Sequence, residues 1–319
     1  MNRNKLVIVG VGHVGSAVLN CALAFQLASE IVLIDTDGEK AAGEALDTSH
    51  GTPFAYYSPN IDVHDGDYEE CRDADVIIIA AGPSIMPGEK PDRLVLADRN
   101  VKTIREVMSS IVRYTQEAVI IIITNPLDVI SYCAQNFFGY PKEKILGTGT
   151  TLETARLRRI LANHYSVDPK DVQGYMLGEH GNSAFPAWSL VSVAGIAYDK
   201  LDAYFQPAKP LDTAAVGRQV VQVAYDVLSF KGCTNSGIAV VACRIARAVL
   251  SNEGSIFPVS TTLEGEYGLS RVSLSLPCQI GAGGVKRRLA VPLTAEETEK
   301  LRQSAASISQ VLRNTGLLS

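Results

Sequence analysis

The chain has no basic face and no long apolar run. Its 319 residues carry 29 Lys and Arg against 34 Asp and Glu, a net charge of -5, so it lacks the concentrated positive surface that nucleic acid or an anionic membrane requires. Its longest apolar runs, such as VIIIAA and AVIIIIT, fall far short of the roughly 20 residues that cross a bilayer. The N-terminus, MNRNKLVIVGVG, shows no signal-peptide apolar region or small-residue cleavage site, and a cytoplasmic location is expected. Cysteines are few: Cys21, Cys71, Cys133, Cys233, Cys243 and Cys278 stand singly, without a CxxC or a close Cys/His spacing. Buried reduced thiols and no metal are therefore expected. Internal repeats and low-complexity tracts are missing as well.

What is present alternates. The runs at 5–9, 31–35, 75–82, 118–124 and 144–147 are short and rich in β-branched residues, and segments with helical spacing, such as 14–28 and 94–113, separate them. Continuous apolar strands need both faces covered, which predicts a doubly wound parallel α/β sheet. At about 150 residues per domain the length suggests two units, expected at 1–146 and 147–319. Beyond residue 147, helical stretches (151–164, 212–230, 236–250) mix with strands such as RVSLSLP (271–277), whose polar-apolar alternation predicts an antiparallel sheet with one solvated face. TAEE at 294–297 has capping-box form, and Leu301, Ala305, Ile308 and Leu312 continue it as an apolar helical stripe.

Gly10, Gly12 and Gly15 form GxGxxG directly after the first apolar run. The first glycine permits a tight turn, the second lets a pyrophosphate approach the backbone, and the third lets helix and strand pack closely, a Rossmann-type dinucleotide site. Asp35, twenty residues after Gly15, is placed to accept from ribose hydroxyls and to repel a 2′-phosphate, so NAD is expected rather than NADP. His13 and Val14, inside the loop, are counted with the cofactor site.

Hydride transfer needs a proton carrier, and histidine titrates in the right range. Of five histidines, His180 lies in LGEHGNSAFPAW; alone it reads as an ordinary packed histidine. In TLETARLRR, Glu153 and Arg156 are three residues apart and share a helix face. They suit a histidine-orienting carboxylate and a two-pronged carboxylate grip, or equally a plain surface ion pair. The Pro- and Gly-rich loop GPSIMPGEKPDRLV ends in Arg93, which is either a group that polarises a carbonyl oxygen under a lid or a solvated loop arginine.

GVGHVG with Asp35, the loop ending in Arg93, TNPLDVI with Asn125, GTTLETARLRR and GEHGNS follow one another in this order, and the chain resembles the L-lactate/malate dehydrogenase family across nearly its whole length. Within the family it is most similar to the L-lactate and L-2-hydroxyisocaproate dehydrogenases. The resemblance implies an NAD-dependent L-2-hydroxyacid dehydrogenase acting on a small 2-oxo or 2-hydroxy acid, as a homodimer or homotetramer. It implies that His180 donates and accepts the proton, Glu153 orients it, Arg156 grips the substrate carboxylate and Arg93 polarises the carbonyl. Asn125 would touch nicotinamide and substrate, Thr234 the substrate pocket and Ile238 the nicotinamide face.

Four positions depart from the family pattern. Glu153 stands where Asp is usual, the lid carries two extra residues, and Ile85 occupies the position that selects substrate. An uncharged Ile85 disfavours malate and favours larger aliphatic side chains, with a pyruvate-specific enzyme as the alternative. Gln173 replaces the histidine that, with the arginine matched by Arg158, binds fructose 1,6-bisphosphate, so activation by that sugar is not expected. An NAD-dependent glycoside hydrolase, which EDTA would inhibit, and an NAD-binding protein without turnover are the remote alternatives.

Overall fold

Residues 4–54, 61–83 and 93–318 are described by a computed structural model. Ile85 lies outside the described residues, and of Arg93 only the backbone is described. The first half runs β1 (Lys5–Val9), α1 (His13–Ala24), β2 (Glu30–Ile34), α2 (Gly38–Gly51), β3 (Asp62–Asp65), β4 (Val76–Ile79), α3 (Arg93–Ile111), β5 (Val119–Ile122), α4 (Leu127–Phe137) and β6 (Ile145–Gly147). The second runs α5 (Thr151–Tyr165), β7 (Val172–Gln173), β8 (Met176–Leu177), β9 (Phe185–Pro186), β10 (Ser192–Val193), β11 (Ile196–Ala197), α6 (Leu201–Phe205), α7 (Thr213–Lys231), α8 (Ser236–Leu250), β12 (Ser255–Glu264), β13 (Ser270–Gly281), β14 (Gly284–Arg288) and α9 (Ala295–Asn314).

The parallel strands lie in the order β3-β2-β1-β4-β5-β6. Successive side chains of a strand point to opposite faces, and here each face has its own core. Leu6, Ile8, Leu33, Ile78 and Ile121 pack on one side, while Val7, Val9, Ile77, Ile79 and Ile120 pack on the other. That two-sided burial is why these strands carry no polar alternation. Only β3, DVHD, has no apolar run to announce it; it pairs on one side alone, as an edge strand, and buries one side chain, Val63.

The antiparallel strands do not form a separate sheet. β12 joins β6 through Ser260 and Gly147, and β13 and β14 extend it, so one nine-stranded sheet runs β14-β13-β12-β6-β5-β4-β1-β2-β3. The expectation of a solvated face on β13 is corrected here: Val272 to Cys278 are all buried, Ser273 and Ser275 completely. Val272, Leu274 and Leu276 pack in the core that holds α9. The serine face, shared with Ser260 and Thr262 of β12, meets Asp128 and Gln135 of α4 and the turn into α5. Its hydroxyls are satisfied internally: Ser273 shares a hydrogen bond of 3.0 Å with Thr262, and Ser275 Oγ accepts from the Thr150 N–H at 3.0 Å. Alternation on this strand therefore marks a polar buried seam, which costs little when each group has a partner.

The C-terminal helix starts as its capping box dictates, Thr294 accepting from the Glu297 N–H while Glu297 accepts from the Thr294 N–H. Leu301, Ala305, Ile308 and Leu312 are buried along one stripe, the larger three contributing on the order of 1.5–3 kcal/mol each. In the parallel half, β1 begins with a buried lysine. Lys5 Nζ lies 3.0 Å from Glu30, 2.7 Å from Glu70 and 2.8 Å from Asp73, and although burial opposes its charge, these carboxylates hold it protonated. The same Glu30 and Glu70, with His64, form the one three-residue group among the described residues spaced to share a metal ion; the ammonium already supplies the cation. All six cysteines are free, four of them buried, but Cys21 and Cys233 are only half-buried. No helix among the described residues is long and apolar enough to cross a membrane.

Candidate active site

The carboxyl ends of β1, β4 and β5 meet at the point where strand order reverses, the usual ligand crevice of such sheets. Gly10, at φ +94°, turns the chain out of β1, and its N–H donates to the Ile34 carbonyl at 2.7 Å. A Cβ on Gly10 would stand 2.5 Å from Ala81 Cα, and one on Gly15 would stand 1.9 Å from the Gly10 carbonyl oxygen; neither position admits a side chain. At Gly12, the N-cap of α1, a Cβ would meet no atom within 4 Å. That open space in front of unpaired helix N–H groups fits a diphosphate.

Asp35 closes the same loop. Its Oδ2 accepts from the Val11 N–H at 2.6 Å and its Oδ1 from the Asp37 N–H at 3.1 Å. Burial pushes this carboxyl up, but the hydrogen bonds outweigh it and hold it below the usual range. An ionised Asp35 retains lone pairs for ribose hydroxyls and repels an added phosphate. His13 is exposed at the start of α1, Val14 is half-buried, and Ile238 is buried on α8, which packs against α1. Asn235 Nδ2 reaches the His13 carbonyl at 3.4 Å. These residues fit a bound NAD.

The charged residues converge from the other half of the chain. α5 carries Glu153 in its buried first turn and Arg156 half-buried one turn later. His180 follows β8, and its Nδ1 lies 2.9 Å from Glu153 Oε1. The contact has ion-pair distance, though the ring N–H is not aligned on the carboxylate, and Glu153 Oε2 has no hydrogen-bond partner among the described residues. Burial works against charge on His180, yet the Glu153 and Asp128 carboxylates outweigh it and raise its pKa to about 9. Burial pushes Glu153 up, and His180 and Arg156 pull it below its ordinary value. Burial lowers Arg156 somewhat against the pull of Glu153; among the described residues its guanidinium has no hydrogen-bond partner, so its donors are available.

Asp128 was not legible as part of this site. It lies in the first turn of α4, 1% exposed, with Oδ2 accepting from the His180 N–H at 2.7 Å and Oδ1 from the Ser260 hydroxyl at 2.6 Å. Burial raises its carboxyl to about 7. The only trace in the sequence is a carboxylate in the otherwise apolar LDVI, which reads as ordinary helix N-terminal acid.

The His180 loop is held on several sides. Gly178 and Ser275 exchange backbone hydrogen bonds of 3.2 and 2.9 Å, Ser304 Oγ donates to the Ser183 carbonyl at 2.9 Å, Ser183 bonds Glu179, and Tyr225 donates to Asn182 Oδ1 at 2.6 Å. Asn125 is exposed at the end of β5, its carbonyl accepting from Asn100 Nδ2 at 2.6 Å; the same amide reaches the Pro83 carbonyl at 3.1 Å. Thr234 is half-buried in the turn between α7 and α8. The backbone of Arg93 opens α3; its side chain and Ile85 lie outside the described residues.

Comparison with known proteins gives the same picture along the chain. Residues 4–147 match the family model for the lactate/malate dehydrogenase NAD binding domain, and residues 150–315 match its alpha/beta C-terminal domain. The chain is 51% identical over 311 residues to L-lactate dehydrogenase 2 of Clostridium acetobutylicum, covering 98% of this chain and 97% of that protein. It is 53% identical over 316 residues to an L-lactate dehydrogenase of Selenomonas ruminantium, covering 99% of each. A crystal structure of the minor L-lactate dehydrogenase of Enterococcus mundtii, in ligands-bound form, superposes with a TM-score of 0.92 at 34% identity over 98% of both chains. With an NAD-binding domain, a matching C-terminal domain and relatives alike over 97% and 99% of their length, this chain is an NAD-dependent oxidoreductase of the CH–OH group of 2-hydroxy acids and belongs to the lactate/malate dehydrogenase family.

Proposed function

We propose that the chain interconverts a small 2-oxo acid, pyruvate in the first place, and its L-2-hydroxy acid, with His180 as the proton carrier. The observation that carries this is the buried 2.9 Å contact of His180 Nδ1 with Glu153 Oε1, beside an Arg156 whose donors are not otherwise engaged. A carboxylate at Nδ1 keeps a proton on that nitrogen and stabilises the imidazolium, leaving Nε2 to exchange a proton with the substrate oxygen. Arg156 offers parallel N–H groups to the substrate carboxylate, which orients the carbonyl. NAD, when bound, supplies or accepts the hydride. Asn125, Thr234 and Ile238 line the nicotinamide and substrate side, and Arg93 polarises the carbonyl as negative charge develops.

Pyruvate is supported by the names of the relatives at 51% and 53% identity. Ile85 favours a second possibility, larger aliphatic 2-oxo acids, since an uncharged branched side chain tolerates apolar bulk and cannot pair with a second carboxylate. Side-by-side specificity constants with NADH for pyruvate, 2-oxobutanoate, 2-oxo-4-methylpentanoate and oxaloacetate test both. Pyruvate is expected to lead and oxaloacetate to trail; a lead for 2-oxo-4-methylpentanoate would give the specificity to Ile85, and absence of turnover with all four would overturn the assignment.

The same proposal includes a dinucleotide unit at 1–146, a substrate unit at 147–319, a cytoplasmic place of action and a homodimer or homotetramer. Exposed apolar side chains support association: Phe54 is 94% and Leu46 59% exposed on and just beyond α2, and Phe230 is 87% exposed on α7.

A further inference from the structure

We propose that Asp128 is a positioning residue for the proton transfer: a second carboxylate, behind His180, that fixes the His180 peptide and stabilises the charged imidazolium. This rests on His180 being the proton carrier. The geometry is a closed chain of contacts. Asp128 Oδ2 accepts from the His180 N–H at 2.7 Å, and its Oδ1 accepts from the Ser260 hydroxyl at 2.6 Å. Both partners donate, and an ionised carboxylate is acceptor-only, so the arrangement suits the charged form of Asp128. Asp128 and Ser260 are 1% and 0% exposed, so no solvent screens that charge from the imidazole.

The neighbours of His180 divide by element. Glu153 and Arg156 face it from α5, Asp128 from α4, and Glu179 precedes it in its own loop. Glu153 meets the ring at close range but out of hydrogen-bond alignment. Asp128 meets the peptide in alignment, and so supplies the positional constraint that the Glu153 contact lacks. The Asp128 charge is attractive to the imidazolium, while Arg156 opposes it. Burial alone would favour a neutral histidine; above about pH 7, where Asp128 is ionised, two carboxylates against one guanidinium reverse that balance and keep the proton on His180 for a 2-oxo acid.

The test compares wild type, Asp128→Asn, Ser260→Ala and His180→Asn as NADH complexes. It records His180 titration by NMR of labelled histidine, with pH profiles of kcat and kcat/KM for pyruvate reduction alongside. Asp128→Asn keeps the size and removes the charge. It is expected to lower the His180 pKa by about one unit or more, to move the alkaline limb of the kcat/KM profile with it, and to leave NADH affinity within about twofold. Ser260→Ala keeps the carboxylate but removes one donor that favours its charge, so it is expected to move the same limb the same way by less, and it decides the matter if Asp128→Asn does not fold. A purely structural Asp128 would lower kcat without moving either titration, and unshifted His180 in the folded variants overturns the proposal. Should His180→Asn itself keep turnover, the proton-carrier assignment fails instead, a separate result.

Discussion

His180 shows how far a single residue's role depends on neighbours remote in sequence. As one of five histidines it is unremarkable, and its chemistry comes from Glu153, 27 positions earlier, and Asp128, 52 positions earlier. The glycine loop and Asp35 were legible because backbone turns and helix N-termini are local; the 3.6-residue repeat puts Glu153 and Arg156 on one face, but only the resemblance to the family gave them a role. Asp128 was hidden because its partners are a backbone N–H and a hydroxyl from β12, neither of which leaves a pattern. The raised pKa of His180, about 9, sets the sign of the pH dependence. The protonated form, required for reduction, dominates below that value, so 2-oxo acid reduction is expected to fall as pH rises through it and hydroxy acid oxidation to rise over the same range. Steady-state profiles in both directions check this, and parallel profiles would sink it. His180→Ala is expected to lose about 10²–10⁴-fold in turnover with NADH affinity kept; a loss below about tenfold would remove His180 from the chemistry.

At the level of elements, the parallel strands and the C-terminal helix follow from pattern alone, and β13 does not. Its alternation of Ser with Val and Leu matches a half-solvated strand, yet the serines are buried on the face that meets α4 and the start of α5. Period-2 patterning says which residues share a face, not what covers that face. The polar face has work to do: Ser275 holds the Thr150 N–H, and Thr150 with Thr154 holds Met176 by hydrogen bonds of 2.5 and 2.9 Å. Thus the start of α5, the strand leading to His180, and β13 are tied together. Ser275→Ala leaves the Thr150 N–H buried without a partner and is expected to cost about 1–3 kcal/mol. Urea unfolding measures it, and a midpoint equal to wild type would show that the seam tolerates the loss.

The whole molecule is one nine-stranded sheet with the dinucleotide loop near its middle and the charged cluster where the parallel strands give way to antiparallel ones. Regulation is a property of this scale too, and the resemblance to the family places a sugar-bisphosphate site at Arg158 and position 173. Arg158 here turns inward, donating to the Gly174 carbonyl at 3.4 Å and standing 5.7 Å over the Tyr175 ring, and Gln173 beside it brings no charge. A polyanion needs convergent cations. The chain is therefore expected to sediment as a dimer or tetramer whose mass and rate do not respond to fructose 1,6-bisphosphate; strong activation, or a monomer, would refute the corresponding part.

The sequence by itself determined the sheet type, the glycine loop with Asp35 that favours NAD, and the helix face shared by Glu153 and Arg156, since each rests on spacing within a few turns or one strand; the roles proposed for the charged residues come from the family resemblance. The tertiary structure decided that the antiparallel strands extend the same sheet, that β13 is buried on both faces, and that Asp128 stands behind His180. Those outcomes depend on which surfaces meet across 50 to 130 residues of chain, and the free energy of such meetings lies in shared burial and paired polar groups, which no local period records.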